Sequence, residues 1–385
     1  MTDRLYYADA YLTAFESEVV SVDGTRVLLK RSAFYPTSGG QLFDTGALGG
    51  IRVTDVLDEE QGVVHVMESA PSFSVGAAVK GQVDWTRRFD HMQQHTGQHL
   101  LSAIFEDVLG AKTASVHFGA ESATIDVEAE SVSRAEAARL ELRANQVVVD
   151  NRLVTVSFED ATTAKGLRKP SDRTGDLRIV SIDGVDRSAC GGTHVRSTGE
   201  IGAVLIRRLE KYKKQTRVEF VCGSRAIRRA RADYEALTGI AGSLSAGIDE
   251  VGGLVASQNE TLRALESERR KLVESLAVYR ARERYDATAP GADGLRRVVV
   301  SAAPEELRGL ASAIAALPNA TFIGSCDDPA TIVFAASGDS GVDAGALFKV
   351  ALAAHGGRGG GNKKVAQGTA PNSTAVKAIV AVLAS

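Results

Sequence analysis

From residue 13 to residue 85, short runs of β-branched and aromatic residues alternate with polar ones between turn signals. "FESEVVSVDGTRVLLKR" places Asp23-Gly24 between two such runs, and "IRVTDVLDEEQGVVHVME" repeats the plan, so this stretch predicts a small, mostly β unit. At Asp84 the period changes. Asp84 or Thr86 can cap a helix whose apolar positions Phe89, Met92, Leu100, Ala103, Ile104 and Val108 keep helical spacing until Gly110. Strands at "TASVHFG" and "SATIDVE", a helix from about Ser133 to Val149, and strands at "LVTVSFE", "LRIVSID", "AVLIRRL" and "RVEFVCG" then predict an α+β arrangement.

Strand signals vanish from Ser224 to about Ala287. Val255, Gln258, Leu262, Leu265, Arg269, Leu272, Leu276 and Tyr279 follow spacings of three and four, a heptad seam broken at Gln258 and Arg269. An interruption of the helical stretch at "GSLSAGIDEVGG", ahead of the seam, suggests a helical hairpin with a first arm from about Ser224 to Leu244. After the linker "TAPGADG" the chain alternates again: "RRVVVSAA", a helix opening at Pro304, "ATFIGS", "TIVFAAS", a helix through "AGALFKVALAAH", a glycine loop from Gly356 to Gly361, and a last helix from Thr374. The expected fold class is therefore α+β in four parts. These are a β-rich domain at 1–85, an α+β domain at 86–223, a helical hairpin or coiled coil at 224–287, and an α/β domain at 288–385.

Composition narrows the setting. No apolar run is long enough to span a bilayer, and the N-terminus carries early charges without a signal-like apolar core, so a cytoplasmic, non-membrane protein is expected. Cys190, Cys222 and Cys326 lie too far apart for a disulfide framework. Net charge is −3, so a polyanionic partner would have to be held by local basic patches.

The candidate chemistry lies in two clusters. "HTGQHLLS" sets His95 and His99 four apart on the predicted helix, where both imidazoles face one way; His91 and His95 share that relation. "SACGGTHV" sets Cys190 and His194 four apart around two glycines. Nitrogen and sulfur donors of this kind suit zinc. The wide separation of the clusters excludes short zinc-finger spacing, and Thr96 after His95 and Met92 after His91 replace the glutamate of the zinc-protease helix motif. Cys222, Cys326, His65, His117 and His355 have no spaced partner and read as ordinary structural residues.

"HTGQHLL" followed by "CGGTHV" resembles the editing domain of alanyl- and threonyl-tRNA synthetases. With "FYPTSGGQLFDTG" and "DWTRRFDHMQQHTGQHLLSA", the chain is similar to the free-standing alanyl-tRNA editing proteins of the AlaX family, and "GGRGGGNKKVAQG" resembles the DHH-associated domain that ends the longer members. The resemblance implies that His95, His99, Cys190 and His194 are zinc ligands and that His91 is not. It implies a zinc-dependent deacylase acting in trans on tRNA(Ala) mischarged with serine, with glycine as a second misacylating residue. An alanine-shaped pocket cannot exclude glycine, and apolar pockets reject an added hydroxyl by only about a hundredfold, so a second hydrolytic site has work to do.

By the same resemblance Thr37 contacts the serine side chain and Gln41 shapes the pocket, while Gly39 and Gly40 let backbone approach the substrate. No glutamate stands as an obvious general base, and the base is left unassigned. "RRLEKYKKQTR" gathers Arg207, Arg208, Lys211, Lys213, Lys214 and Arg217 against one acid, Glu210, and offers a surface for tRNA phosphates. "SRAIRRARAD" and the glycine loop with Arg358, Lys363 and Lys364 are further candidates. No P-loop pattern occurs, so ATP binding is not expected. From the synthetase, recognition of the tRNA body and homodimerisation through the C-terminal region carry over as options. Two other functions compete: a tRNA-binding module without turnover, and an editing hydrolase for another aminoacyl-tRNA such as seryl-tRNA(Thr).

Overall fold

The computed structural model describes residues 1–170 and 174–385. Contacts divide the chain into two units, Met1–Gly239 and Ile240–Ser385, with the division inside the helix Gly223–Ser243.

In the first unit, six antiparallel strands close into a barrel in the order Ala14–Asp23, Arg26–Leu29, Gly62–Met67, Ile51–Glu59, Gly46–Leu48 and Ala78–Val83. The expected hairpin is present: Asp23 pairs with Arg26 across Gly24-Thr25, and Gly24 takes φ 57°, a conformation that costs glycine little. Alternation fixes which side faces in. Phe15, Val19, Val79 and Val83 enter the barrel core with Val27, Leu29, Phe34, Val53, Val56 and Met67, while intervening residues meet water.

A histidine sits in that core. His65 is fully buried; its Nδ1–H donates to the Val27 carbonyl at 3.1 Å, and the Ser32 hydroxyl donates to its Nε2 at 2.7 Å. Burial pushes its pKa down to about 4, so the folded state holds it neutral. The unfolded chain takes up a proton below its ordinary value of about 6.5, so the contribution of His65 to stability is complete above that pH and is lost as pH falls toward 4. Urea unfolding is expected to show a stability loss of about 2.5 kcal/mol from this group between pH 7 and pH 4.5. His65→Gln should flatten that slope, and an unchanged slope would assign acid sensitivity to other groups.

Beyond the barrel, the Asp84 side chain accepts from the backbone N–H groups of Thr86 and Arg87 and starts the helix Trp85–Leu109, which ends at Gly110 with φ 65°. The helix packs against a four-stranded antiparallel sheet, ordered Val204–Tyr212, Gln215–Cys222, Ala123–Val127 and Thr113–Phe118, and against the helix Arg134–Val149, which opens with a Ser133–Glu136 capping box. Gly97 allows the closest approach: a Cβ there would lie 2.3 Å from the Cys222 sulfur. Cys222 is thereby accounted for as a buried packing residue.

A three-stranded sheet, Val154–Asp160, Asp176–Ile182 and Asp186–Ala189, completes the unit. Its last strand was not expected. "DRSA" has no apolar alternation, because Asp186 and Ser188 are buried where the period calls for apolar side chains.

The second unit contains the helix Val251–Ala287 and a five-stranded sheet ordered Arg296–Ser301, Ala320–Asp327, Ala330–Ala336, Val365–Thr369 and Arg358–Gly361, parallel only in the first pair. Helices Pro304–Ile314, Ala344–Ala354 and Ser373–Ala384 cover it. Ala277 and Ala281, one turn apart, face the helix Pro304–Ile314 through Gly309. The positions of the expected seam are exposed on the single chain: Leu262 is 58% and Leu272 63% exposed. The expected glycine loop is in part the edge strand Arg358–Gly361, where Cβ atoms on Gly359 and Gly361 would meet the neighbouring backbone at 2.4 and 2.3 Å. Among the described residues, no helix is long and apolar enough to cross a membrane.

Candidate metal centre

The helix Trp85–Leu109 sets His95 and His99 one turn apart, with ring centroids 5.3 Å from each other. The strand Asp186–Ala189 delivers Cys190 opposite them. Its backbone is clamped, since its N–H donates to the Arg178 carbonyl at 3.0 Å and its carbonyl accepts from Arg178 Nη1 at 2.7 Å. The glycine turn then returns His194 to within 4.4 Å of the His95 ring. Gly192 leaves the gap this needs, because a Cβ would lie 2.2 Å from His95 Cε1.

The ligand atoms of His95, His99, Cys190 and His194 all lie within 4.8 Å of one another, a group that could hold a metal ion; His91 is outside it. Cys190 Sγ stands 3.4 Å from His95 Nε2 and 3.3 Å from His194 Nε2. Zinc bond lengths in a tetrahedron place neighbouring donors about 3.3–3.7 Å apart.

Tautomers agree with this fit. Gln41 Oε1 already accepts from the Thr193 backbone N–H at 3.1 Å, which fixes the amide orientation, so His95 Nδ1 is the donor in its 2.8 Å contact with that oxygen. The Thr96 hydroxyl donates to the Met92 carbonyl at 2.9 Å and accepts from His194 Nδ1 at 3.1 Å. His99 Nδ1 donates to Asp186 Oδ2 at 2.8 Å. With each Nδ1 carrying the proton, all three Nε2 lone pairs are available to the centre.

Electrostatics follow from the same contacts. Burial opposes ionisation of the Cys190 thiol, but the imidazoles of His95 and His194 outweigh it and hold the thiol well below its ordinary value. Burial, aided by His95, lowers His194 to about 3; at His99 burial acts the same way, but the Asp186 and Cys190 hydrogen bonds prevail and raise it to about 9, so that without an ion His99 holds a second proton, on Nε2, which an arriving ion would displace. Burial also lowers His91 to about 4, and its Nδ1 has no hydrogen-bond partner among the described residues.

The glycine motif reaches the centre from the barrel. Backbone bonds between Ser38 and Gln41 close a tight turn, with Gly39 at φ 56° and Gly40 at φ 85°. Gln41 is buried and also donates from Nε2 to the Thr193 hydroxyl at 2.8 Å, so its side chain braces His95 and the turn after Cys190. Thr37, at the start of the turn, is exposed, and its Oγ1 accepts from the Phe43 N–H at 3.2 Å. Further along, Asp44 meets Arg88 of the helix in a pair with no exposed side-chain surface; Arg88 also donates to the Ala10 and Ala33 carbonyls at 2.7 and 2.6 Å.

The basic residues separate into two sets. Arg207 pairs with Asp233, Arg208 with Glu210 at 2.5 Å, and Arg217 with Asp126 at 2.7 Å. The sequence offered only Glu210; folding brings in the other two acids. Lys211, Lys213 and Lys214, at the turn between Val204–Tyr212 and Gln215–Cys222, carry no ion pair among the described residues. Arg358, Lys363 and Lys364 are exposed on the edge strand of the second unit and the turn after it. Sequence reasoning missed Thr96, Thr193, Asp186, Arg168 and the Asp44–Arg88 pair. Only the position of Asp186 four residues before Cys190, in a polar run that nonetheless pairs as a strand, could have marked one of them.

Comparison with known proteins first gives the class. The model for the threonyl and alanyl tRNA synthetase second additional domain matches residues 177–219, which include Cys190 and His194, and the model for class II (A) tRNA synthetases matches residues 7–87. The chain is 34% identical over 281 residues to alanyl-tRNA editing protein AlaX-L of Pyrococcus horikoshii, covering 69% of each, and 32% identical over 292 residues to alanyl-tRNA editing protein Aarsd1 of Danio rerio, covering 70% of each. It therefore belongs to the alanyl-tRNA editing protein family. The alanine–tRNA ligase of Methanoregula boonei is 32% identical over 387 residues, 96% of this chain and 42% of that one. The C-Ala domain of Aquifex aeolicus alanyl-tRNA synthetase matches 25% of the chain and 96% of its own at 26% identity, with a TM-score of 0.21.

Proposed function

We propose that this chain is a zinc-dependent deacylase that hydrolyses the ester of seryl-tRNA(Ala), with glycyl-tRNA(Ala) as a second substrate. The observation that carries the reading is the Gln41–His95 contact, which joins the Thr37 turn to the His95, His99, Cys190 and His194 cluster. The relatives named as alanyl-tRNA editing proteins support the choice of tRNA. His95, His99, Cys190 and His194 would hold the ion through four protein donors, a closed set, so a bound zinc would supply order in the pocket wall.

The residues of the chain divide the remaining tasks. Gln41 and Gly192 hold the wall at His95, Gly39 leaves backbone open to the substrate, and Gly40 lies against Phe118. Thr37 Oγ1 accepts from Phe43, which leaves its own proton to donate to the seryl hydroxyl. Lys211, Lys213 and Lys214, with Arg358, Lys363 and Lys364, are the proposed phosphate contacts; Arg207, Arg208 and Arg217 contribute less because each already holds an acid. In this reading residues 1–223 perform hydrolysis, 224–287 form the helical connection, and 288–385 engage the tRNA body in the cytoplasm. The exposed seam of Val251–Ala287 is the proposed surface for a homodimer.

Thr37→Val keeps the side-chain shape and removes the donor. The ratio of seryl- to alanyl-tRNA(Ala) deacylation rates is expected to fall about 10- to 100-fold, the worth of one hydrogen bond closed off from water. Zinc content should not change. An unaltered ratio would make Thr37 a turn residue only. In the same assay, faster turnover of seryl-tRNA(Thr) would move the chain to another substrate, and binding without turnover of either tRNA would make it a non-catalytic module.

A further inference from the structure

Of the three side chains that brace the imidazoles, only one carries charge. Gln41 and Thr96 are neutral, whereas Asp186 is a carboxylate with no exposed side-chain surface. Its other oxygen accepts from Arg168 Nε at 2.6 Å, and the Ser188 hydroxyl lies 3.0 and 3.1 Å from the two oxygens. Arg168 is 16% exposed and, with Asp186, lines a cavity of about 600 Å³ that opens to solvent, so water screens the cation more than the anion. A divalent ion and the Cys190 thiolate together leave one buried positive charge.

We propose that Asp186 is a positioning residue for the metal, which aims His99 Nε2 at the centre and neutralises the charge that the ion and Cys190 leave there. This rests on the metal reading above and deepens it. The hydrogen bond makes the imidazole a stronger donor, and the carboxylate lowers the cost of holding net charge out of water. Gln41 and Thr96 orient their imidazoles without that second effect. Arg168 acts in the opposite sense, because it draws electron density from Asp186 while remaining within reach of solvent.

The test is zinc affinity of the full chain, measured by competition with a chromogenic chelator, with no tRNA present. Asp186→Asn keeps an oxygen for the His99 Nδ1–H and removes the charge; it is expected to weaken zinc binding about 10- to 100-fold. Arg168→Gln leaves Asp186 in place and is expected to bind zinc as tightly as the wild type or several-fold tighter. Thermal unfolding of the metal-free variants checks that each folds. Wild-type affinity in Asp186→Asn, or a loss in Arg168→Gln as large as that in Asp186→Asn, would overturn the proposal by making the pair a structural ion pair. Should Asp186→Asn fail to fold, a tenfold weakening in Arg168→Gln would overturn it and retained affinity would support it. A wild-type chain that binds no zinc would instead sink the metal reading itself.

Discussion

Arg88→Ala is expected to destabilise the first unit by about 3–5 kcal/mol, the usual cost of leaving one member of a buried pair without its partner. Asp44 would remain a carboxylate without surface exposure, still accepting from the Tyr35 N–H at 2.6 Å but stripped of its counter-charge, and the Ala10 and Ala33 carbonyls would lose their donor. Urea unfolding measures the loss. The double variant Arg88→Met with Asp44→Leu should recover much of it, because an apolar pair removes both buried charges at once. Equal losses in the single and double variants would show that the two carbonyls, and not the ion pair, depend on Arg88. The effect reaches past stability, since this pair ties the segment after the Thr37 turn to the helix that bears His95.

Cys190→Ala is expected to have the larger consequence for activity. Changing a residue that only supports a ligand lowers metal affinity about 10- to 100-fold, and removal of the sole thiolate exceeds that. Purified Cys190→Ala should contain well under one zinc per chain by elemental analysis, and its deacylation of seryl-tRNA(Ala) should fall in parallel. Full zinc occupancy after replacement of both Cys190 and His194 would remove this cluster as the metal site.

Much of the fold was legible because local rules decided it. Asp84 and Gly110 bound the long helix at the predicted places, and alternation at Phe15 and Val19 assigned the inner face of the barrel. Several short strands were not legible, Asp186–Ala189 and Arg358–Gly361 among them. Asp186–Ala189 buries polar side chains for the sake of the centre, and Arg358–Gly361 has glycines where strand propensity is lowest, so pairing with neighbouring strands decided both. The site was legible in its donors and not in its supports. Helical spacing alone allowed His91 with His95 as readily as His95 with His99. The contacts of Gln41, Thr96 and Asp186 span 54, 98 and 87 positions of sequence, a range over which local patterns carry no information. The same limit made Arg207 and Arg217 read as free cations, when their acids lie 26 and 91 positions away.

On the proposed metal reading, the bracing of the imidazoles also bears on when an ion could be taken up. In a short zinc finger the ion assembles the fold, because nothing else holds the ligands together. Here three imidazoles and a thiolate are fastened by the barrel turn, the long helix and the Asp186 strand, so the entropy of ordering them is charged to folding and not to capture. Such a centre is a receptor that matures before its ligand arrives. A chain made under metal starvation would fold, wait, and be loaded afterwards, and stripping the ion would disarm the pocket wall without dismantling the protein around it.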